Sequence, residues 1–474
     1  MAGTLASNPG YQITPSSVKA TLPTNYITNF DFLNQYLPDT YEKEFERYGN
    51  RSIASFLRMV GAELPSNSDL IKWAEQGRLH TKYALVQANS ANGSDTALFE
   101  VTDLDKSGNR VTCNFRKNQT VFLSANSGSL SAKAIISKVG LADSLASDYI
   151  FEVKFYSATG QPFFINDFVT AFVYGSEFQK GTTGMVGSLE AKDDFFECKP
   201  IIIKDKYVVS GSDMAQIGWV EVTTENGATG YLWYMKSEHE TRLRFEDYLE
   251  MAMVEGVVAE AGSDAQTFLG GGSAGTQGLF DTVESRGNVW SGGNPSSLTD
   301  FDTIVQRLDK QGAIAENALF LNRQFSFDVD DMLARQNSYG AGGTSFGLFD
   351  NSEQMALNLG FTGFRRGYEF YKTDWKYLND AALRGGIVGG AVNGVLVPAG
   401  TTTVYDQVLG KNAKRPFLHV RYRASEAENR RYKTWMTGSA GGAATSDLDA
   451  MEVNFLSERA LCTLGANNFF IFKG

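Results

Sequence analysis

Cysteine and histidine are the scarcest chemically useful residues in this chain of 474, with 3 of each, and proline is sparse at 10. Cys113, Cys198 and Cys462 are far apart and odd in number, and no Cys-x-x-Cys occurs. Neither a zinc ribbon nor a disulfide framework fits that spacing, and a reducing compartment is the natural reading. His80, His239 and His419 fall in three different segments and form no ligand set. No apolar run is long enough to cross a bilayer. The opening Met1-Ala2-Gly3-Thr4-Leu5 has neither the basic nor the apolar region of a secretory signal, so the expectation is a soluble protein made inside the cell. Clustered Lys and Arg are missing too, and the formal charge is −11. Gripping a phosphate backbone needs such clusters, so nucleic acid is not an expected high-affinity ligand.

What is present is a globular composition, 42% hydrophobic and 20% charged, with 33 Phe, 20 Tyr and 48 Gly. Many glycines and few prolines suit a β-rich chain with tight turns. The length implies about two to four domains or sub-domains. Residues 1–80 read as a polar arm with short helices at 42–48, 52–59 and 69–76, too short to bury a core of their own. From 81 to 234 the period is two, and 96–101, 110–115, 149–155, 168–173 and 201–203 read as strands. Asn226-Gly227 is a hairpin signal, because both residues tolerate positive φ.

At Ser237 the period changes. Ser237-x-x-Glu240 has capping-box form, and Phe245, Tyr248, Leu249, Ala252, Met253 and Val257 follow at helical spacing as one apolar stripe, to about Glu260. Arg242, Arg244, Glu246, Asp247, Glu250 and Glu255 take the other face. Farther on, Thr299 reads as the cap of a helix carrying Phe301, Ile304, Val305 and Leu308, with Gly312 as its stop. Residues 318–321 read as a strand and 330–335 as a short helix, so this half is α+β with a mixed sheet. The last apolar run, Phe469-Phe470-Ile471-Phe472, must be packed or become an aggregation site, so it is expected to return to an interior built by earlier segments.

Catalytic patterns are thin. Gly271-Gly272-Ser273-Ala274-Gly275 and Gly343-Thr344-Ser345-Phe346-Gly347 match G-x-S-x-G, but neither follows the hydrophobic strand that a nucleophile elbow needs, and flexible loop is the better reading. Asp103-Leu104-Asp105-Lys106-Ser107-Gly108-Asn109 imitates the start of a calcium loop, yet its twelfth position is Asn114 rather than Glu, which favours a hairpin turn. His239-Glu240 opens like a zincin helix, but Leu243 stands where the second histidine belongs. Gly410-Lys411 lacks the spacing of a phosphate-binding loop. No enzyme activity, metal or cofactor is expected.

The order of segments resembles one family. A polar arm, a long β excursion, one dominant amphipathic helix, an α+β region with glycine-rich loops and a returning final strand are similar to the major capsid proteins of tailed bacteriophages, of the Hong Kong 97 type. Val453-Asn454-Phe455-Leu456-Ser457-Glu458-Arg459-Ala460-Leu461, then Leu464-Gly465-Ala466-Asn467-Asn468, is similar to the final peripheral-domain strand of that family. Tyr11-Gln12-Ile13-Thr14-Pro15 and Ser68-Asp69-Leu70-Ile71-Lys72-Trp73-Ala74-Glu75 look most like the crAss-like phages. The resemblance implies an α+β Hong Kong 97-like fold. Its parts are an arm at 1–80, an extended loop with an inserted β domain at 81–235, a spine helix and peripheral domain at 236–297, an axial domain at 298–420, and a return to the peripheral domain at 421–474.

It also implies a structural, self-associating shell protein of hexamers and pentamers, found in the virion and assembled in the host cytoplasm. Its further partners would be portal and auxiliary or decoration proteins, with no membrane. Candidate inter-subunit residues on that reading are Asp105, Lys106 and Arg110 at the hairpin, and Arg242, Arg244, Glu246 and Asp247 on the helix. Some relatives join a lysine and an asparagine of different subunits covalently; Lys106 at the hairpin tip is the candidate for that here, and a solvated turn residue is the better reading of it. The alternative is a β-rich baseplate or adhesin component forming a small oligomer, marked by self-contained domains.

Overall fold

The structure, a computed structural model, describes residue 56 and residues 62–105, 108–190, 193–215, 222–223, 229–230, 233–269, 274–337, 363–406, 411–442 and 444–474. Along the chain the first strands are β1 (Ala62–Ser66), β2 (Ile71–Gln76), β3 (Lys82–Ala88), β4 (Thr96–Val101), β5 (Gln119–Ala125), β6 (Ser131–Val139), β7 (Ile150–Phe155), β8 (Phe168–Ser176), β9 (Asp193–Cys198) and β10 (Ile201–Ser210). Helix α1 (Gly211–Met214), the pair β11 (Val222–Thr223) and β12 (Thr229–Gly230), and helices α2 (Trp233–Glu255), α3 (Asp264–Phe268) and α4 (Leu279–Arg286) follow. Then come β13 (Asn288–Trp290), α5 (Leu298–Gln311), β14 (Glu316–Leu321), α6 (Arg323–Asn337), β15 (Gly363–Arg366), β16 (Tyr368–Asp374), α7 (Lys376–Asn379) and β17 (Val392–Pro398). The remaining strands are β18 (Thr401–Asp406), β19 (Lys411–Pro416), β20 (Leu418–Arg423), β21 (Lys433–Gly438), β22 (Ala450–Thr463) and β23 (Phe470–Lys473).

These elements form two compact units, Ile71–Glu197 and the chain on either side of it. In Ile71–Glu197, β3-β4-β7-β6-β5-β8 close into an antiparallel barrel, and β2 pairs with β9. Alternation drives the closure. Ala97, Phe99 and Val101 of β4, Val121 and Leu123 of β5, Phe151 and Val153 of β7, and Val169 and Ala171 of β8 are all fully buried in one core. Phe151 stacks on Phe99 with ring centroids 5.7 Å apart, and Phe115 meets Phe151 edge-on at 5.1 Å. Gly160, at φ 68°, lies where a Cβ would meet the Gly93 and Ser94 carbonyl oxygens at 2.7 Å, so the turn needs glycine.

The other unit holds two larger sheets. One has five strands, β1-β20-β22-β10 with β21 also on β22; the other has six, β13-β23-β17-β14-β16-β15. The second mixes parallel pairs (β13 with β23, β14 with β16) and antiparallel ones, which makes this unit α+β. Helix α2 lays Phe245 and Leu249 on Met451, Val453 and Phe455 of β22. Farther along, its Met253 and Val254 join Leu279, Phe280 and Val283 of α4 in a core shared with β17, β20 and Ile471. Another core packs Phe301, Ile304 and Leu308 of α5 and Phe325, Val329 and Met332 of α6 against Phe470 and Phe472. Strand β23 is therefore covered on both faces, and a strand so placed has no polar alternation to show. Phe469 to Phe472 are each 0% exposed, as their sequence led one to expect.

Several expectations change. Residues 69–76 are not a helix: 71–76 form β2, with Ile71, Trp73 and Glu75 half-buried and the residues between them exposed. Residues 110–115 carry only an isolated bridge, Arg110 with Leu104, in place of a strand. Helix α2 starts at Trp233, so Ser237 lies inside it, its carbonyl accepting from Thr241 Oγ1 at 2.9 Å. The helix stops at Glu255 because Gly256 turns the chain, its carbonyl accepting from the Gly278 N–H at 2.7 Å. Tyr248, read into the buried stripe, is exposed, as is Val257 beyond the helix end. Glu250, read onto the polar face, is buried and accepts from the Phe56 N–H at 3.1 Å.

The cap of α5 is Ser297 rather than Thr299, because the Asp300 carboxylate reaches back to the Ser297 N–H while Ser297 Oγ accepts from Asp300. Helix α6 is longer than the 330–335 read from sequence. Residues 42–48, 52–55 and 57–59, Asn226-Gly227 and Lys106 lie outside the described residues. Strands β11 and β12 pair antiparallel on either side of Asn226-Gly227.

Candidate interaction surface

Among the described residues, no group of three or more His, Cys, Asp or Glu side chains is arranged to hold a metal. In the calcium-like segment the carboxylates of Asp103 and Asp105 are already engaged. Asp103 accepts from the Ala84 N–H at 2.7 Å and the Leu85 N–H at 3.1 Å, and Asp105 Oδ1 accepts from the Asn109 N–H at 2.8 Å. His239 is exposed on α2, whereas His419 is buried on β20 with Nδ1 3.3 Å from the Pro416 carbonyl. Burial, then the neighbouring Arg421, pushes the His419 pKa down to about 4. Ser273 and Gly343-Thr344-Ser345-Phe346-Gly347 lie outside the described residues.

The charged residues read as inter-subunit candidates divide between the two units. In the first-described unit, Arg110 pairs with Glu100 at 2.7 Å, donates to the Val101 carbonyl at 2.8 Å and lies 4.7 Å over the Tyr149 ring. Asn89 and Arg110 hold the Glu100 carboxyl below its ordinary pKa. Asp105 belongs to the same hairpin, its N–H donating to the Asn109 carbonyl at 2.7 Å. In the other unit, Arg242 pairs with Glu246 at 3.7 Å along α2, and Arg244 reaches Asp205 of β10 at 3.5 Å. Both arginines are mostly exposed, so each pair is worth about 1 kcal/mol at most. Asp247 is half-buried on the same helix.

Both units also carry exposed apolar surface that no sequence motif marks as a site. On the barrel, Phe164-Ile165-Asn166-Asp167 form a turn: the Asp167 N–H donates to the Phe164 carbonyl, Asp167 Oδ2 accepts from the Phe164 N–H at 2.9 Å, and Asn166 sits at φ 67°. Phe164 and Ile165 are 62% and 54% exposed at its tip, where polar residues are the rule. Phe168, Phe172 and Tyr174 of β8 are exposed on the outer wall. Phe172 lies 5.3 Å from Phe122, and the Lys133 ammonium stands 5.7 Å over Tyr174.

In the other unit, β10 ends the strand order of its sheet, and among the described residues no strand pairs with its outer edge. Ile202, Lys204, Lys206 and Val208 alternate outward along it. Beside them on the same face of β21, the Lys433 ammonium stands 5.6 Å over Trp435. Lysines blunt such an edge, but Ile202 and Val208 do not. Past α2, Val257, Phe268 and Leu269 are exposed, Phe268 at 89%. Clustered exposed apolar side chains mark surfaces that another molecule covers. A sequence signal for the first cluster existed, since Asn166-Asp167 marks the turn that lifts Phe164 and Ile165 into water.

No family model matches the chain, and no curated protein does. Solved structures similar to it include one from Microbacterium phage Oxtober96, at TM-score 0.40 and 9% identity over 94% of this chain and 99% of that one. A second is the capsid of a native GTA particle computed with C5 symmetry, at 0.38 and 9% identity over 95% and 98%. A third is from Mycobacterium phage Bobi, at 0.39 and 8% identity over 94% and 98%. TM-scores of this size carry no argument for a common fold.

Proposed function

We propose that this chain is a major capsid protein of a tailed bacteriophage, which associates with itself in hexamers and pentamers to build the icosahedral shell around a double-stranded DNA genome. The observation that carries the proposal is the exposure of large apolar side chains on both units of a chain whose own cores are closed. Phe164 and Ile165 on the barrel, and Ile202, Val208 and Phe268 on the other unit, are surfaces a monomer has no reason to keep. A shell subunit covers such patches with copies of itself through interfaces well above standard size. The net charge of −11 suits a container that encloses DNA without gripping it.

On this reading the fold is Hong Kong 97-like. Helix α2 is the spine, and the five-stranded sheet belongs to the peripheral domain. The six-stranded sheet with α5 and α6 belongs to the axial domain, and the Ile71–Glu197 barrel is the insertion carried by the extended loop. The shell is part of the virion and is assembled in the host cytoplasm, with portal and auxiliary or decoration proteins as partners and no cofactor. The affinity with crAss-like phages belongs to the same proposal. The self-contained barrel also favours a second reading, a baseplate or adhesin component in a small oligomer. Negative-stain electron microscopy of the purified protein, alone and co-expressed with its neighbouring genes, tests the two. Hollow icosahedral particles, or free hexamers and pentamers, support the shell; uniform monomers or trimers under both conditions sink it in favour of the second.

A further inference from the structure

Cys198 and Cys462 are 264 residues apart in sequence, yet their sulfur atoms are 3.1 Å apart and both side chains are buried. The strand register explains the meeting. β10 runs antiparallel to β22 with Ile201 opposite Arg459, and each step back along β10 is a step forward along β22. Carried three steps further, that register would set Cys198 opposite Cys462, in agreement with the 3.1 Å between their sulfur atoms. Pro200 has no N–H to donate, which fits the ladder stopping at Ile201. On the other side, Cys462 is opposite His419 of β20, so it sits in the sheet interior. Cys198 is also the residue at which the chain re-enters this unit from the Ile71–Glu197 barrel.

We propose that Cys198 and Cys462 are a modification site, joined as a disulfide when the protein meets a peroxide oxidant. Residues directly opposite on an antiparallel ladder have Cα atoms about 4.5–5.5 Å apart, inside the span of about 4.4–6.8 Å that a disulfide bridges. The backbone therefore need not move far. One thiolate attacks the peroxide oxygen, giving a sulfenic acid and, with one proton, water. The second thiol then attacks that sulfur, the S–S bond forms, and a second water leaves. In sum two thiols and one hydrogen peroxide give one disulfide and two waters, with two electrons passing from sulfur to oxygen.

The bond ties the chain's re-entry point to β22 and closes a very long loop, the case in which a crosslink restricts the unfolded chain most. Attack by Cys462 is slow at neutral pH, because its hydrogen bond with the Cys198 thiol and burial raise its pKa. The rate should climb about tenfold per pH unit while the thiolate fraction is the limit. On the shell reading, the pair stays reduced in the host cytosol and sets after release. That timing rests on the proposed function; the bond does not.

The purified full chain is treated with excess hydrogen peroxide at pH 8, unfolded under alkylating conditions and digested without reductant. The expected result is a peptide joining Cys198 to Cys462 in most chains, two thiols lost, and Cys113 still alkylated. The oxidised chain should melt several degrees higher than the reduced one, and reductant should reverse the shift. Neither Cys198→Ala nor the volume-preserving Cys198→Ser should show the link or the shift. Three countable thiols, sulfinic or sulfonic acids at these positions without a link, or a link involving Cys113 would each overturn the proposal. The assay reads the chain whatever its assembly state, so its failure is separate from failure to form particles.

Discussion

Phe470→Ala tests whether β23 closes the core of its unit. The ring is 0% exposed and stacks on Phe472 with centroids 5.6 Å apart, while Phe472 in turn meets Phe325 of α6 edge-on at 5.0 Å. Burying a phenylalanine removes roughly 150–250 Å² from water. At about 25 cal/mol per Å² that is roughly 4–6 kcal/mol, an upper bound because the unfolded chain already hides some of it. Truncation of buried aromatics to alanine costs about 3–5 kcal/mol, cavity included. We expect about 4 kcal/mol, since Leu396 and Leu321, packed in the same core, belong to hydrogen-bonded strands and cannot collapse into the hole. The neighbouring Lys473→Ala is the control. Its ion pair with Glu284 at 2.8 Å is about a third exposed on each side, so its loss should cost under about 1 kcal/mol. Urea titration followed by hydrogen exchange on peptides from β17 and β23 reads this unit without the barrel. A Phe470→Ala protein within about 1 kcal/mol of wild type would refute the placement of β23 between two cores.

His419 makes stability depend on pH with a definite sign. Its folded pKa of about 4 lies below the ordinary 6.5, so between those values the unfolded chain binds more protons and stability falls as pH drops through that window. The loss approaches about 3 kcal/mol at pH 4 and is absent above about pH 7; His419→Gln should flatten the difference between urea midpoints at pH 4.5 and 7.5, and an unchanged difference refutes it. Gly256→Ala should destabilise rather than give the usual gain of about 0.4–1 kcal/mol, because the added Cβ would lie 2.6 Å from the Ala252 and Thr276 carbonyl oxygens. A thermal midpoint equal to or above wild type would remove that argument. The Phe164→Ser, Ile165→Ser double variant should keep the barrel folded by circular dichroism, since both side chains are exposed, while lowering particle yield several-fold on native gels. Full yield would exclude that tip from subunit contacts.

How far the sequence could be read depended on whether local chemistry or a distant partner decided each element. The barrel strands were legible because alternation is local: Ala97, Phe99 and Val101 announce an inward face before any neighbour is known. The buried last strand was legible for the opposite reason, since only a strand covered on both faces tolerates four apolar residues in a row. The cap of α5 was missed by two residues because two hydroxyls competed, and the carboxylate three residues after Ser297 decided it. Residues 71–76 were misread because Ile-Lys-Trp-Ala-Glu-Gln suits a helix by propensity as well as a strand by period, and β9, more than a hundred residues on, made the choice.

The surfaces were illegible in a different sense. Exposure of Phe268 or Phe164 is not written in their neighbours, because an apolar residue in a loop reads the same whether it folds inward or waits for a partner. The cysteine pair shows how little would have been needed. Once Ile201 is known to face Arg459, the positions of Cys198 and Cys462 follow from counting, but that one pairing spans the whole of α2 and five of the six strands of the six-stranded sheet. Spacing arguments about cysteine treat sequence distance as spatial distance, and a long antiparallel ladder between chain-distant strands breaks that equivalence. An odd count of scattered cysteines therefore excludes a framework of disulfides without excluding a single one, and the strand register has to be known before the distinction can be drawn.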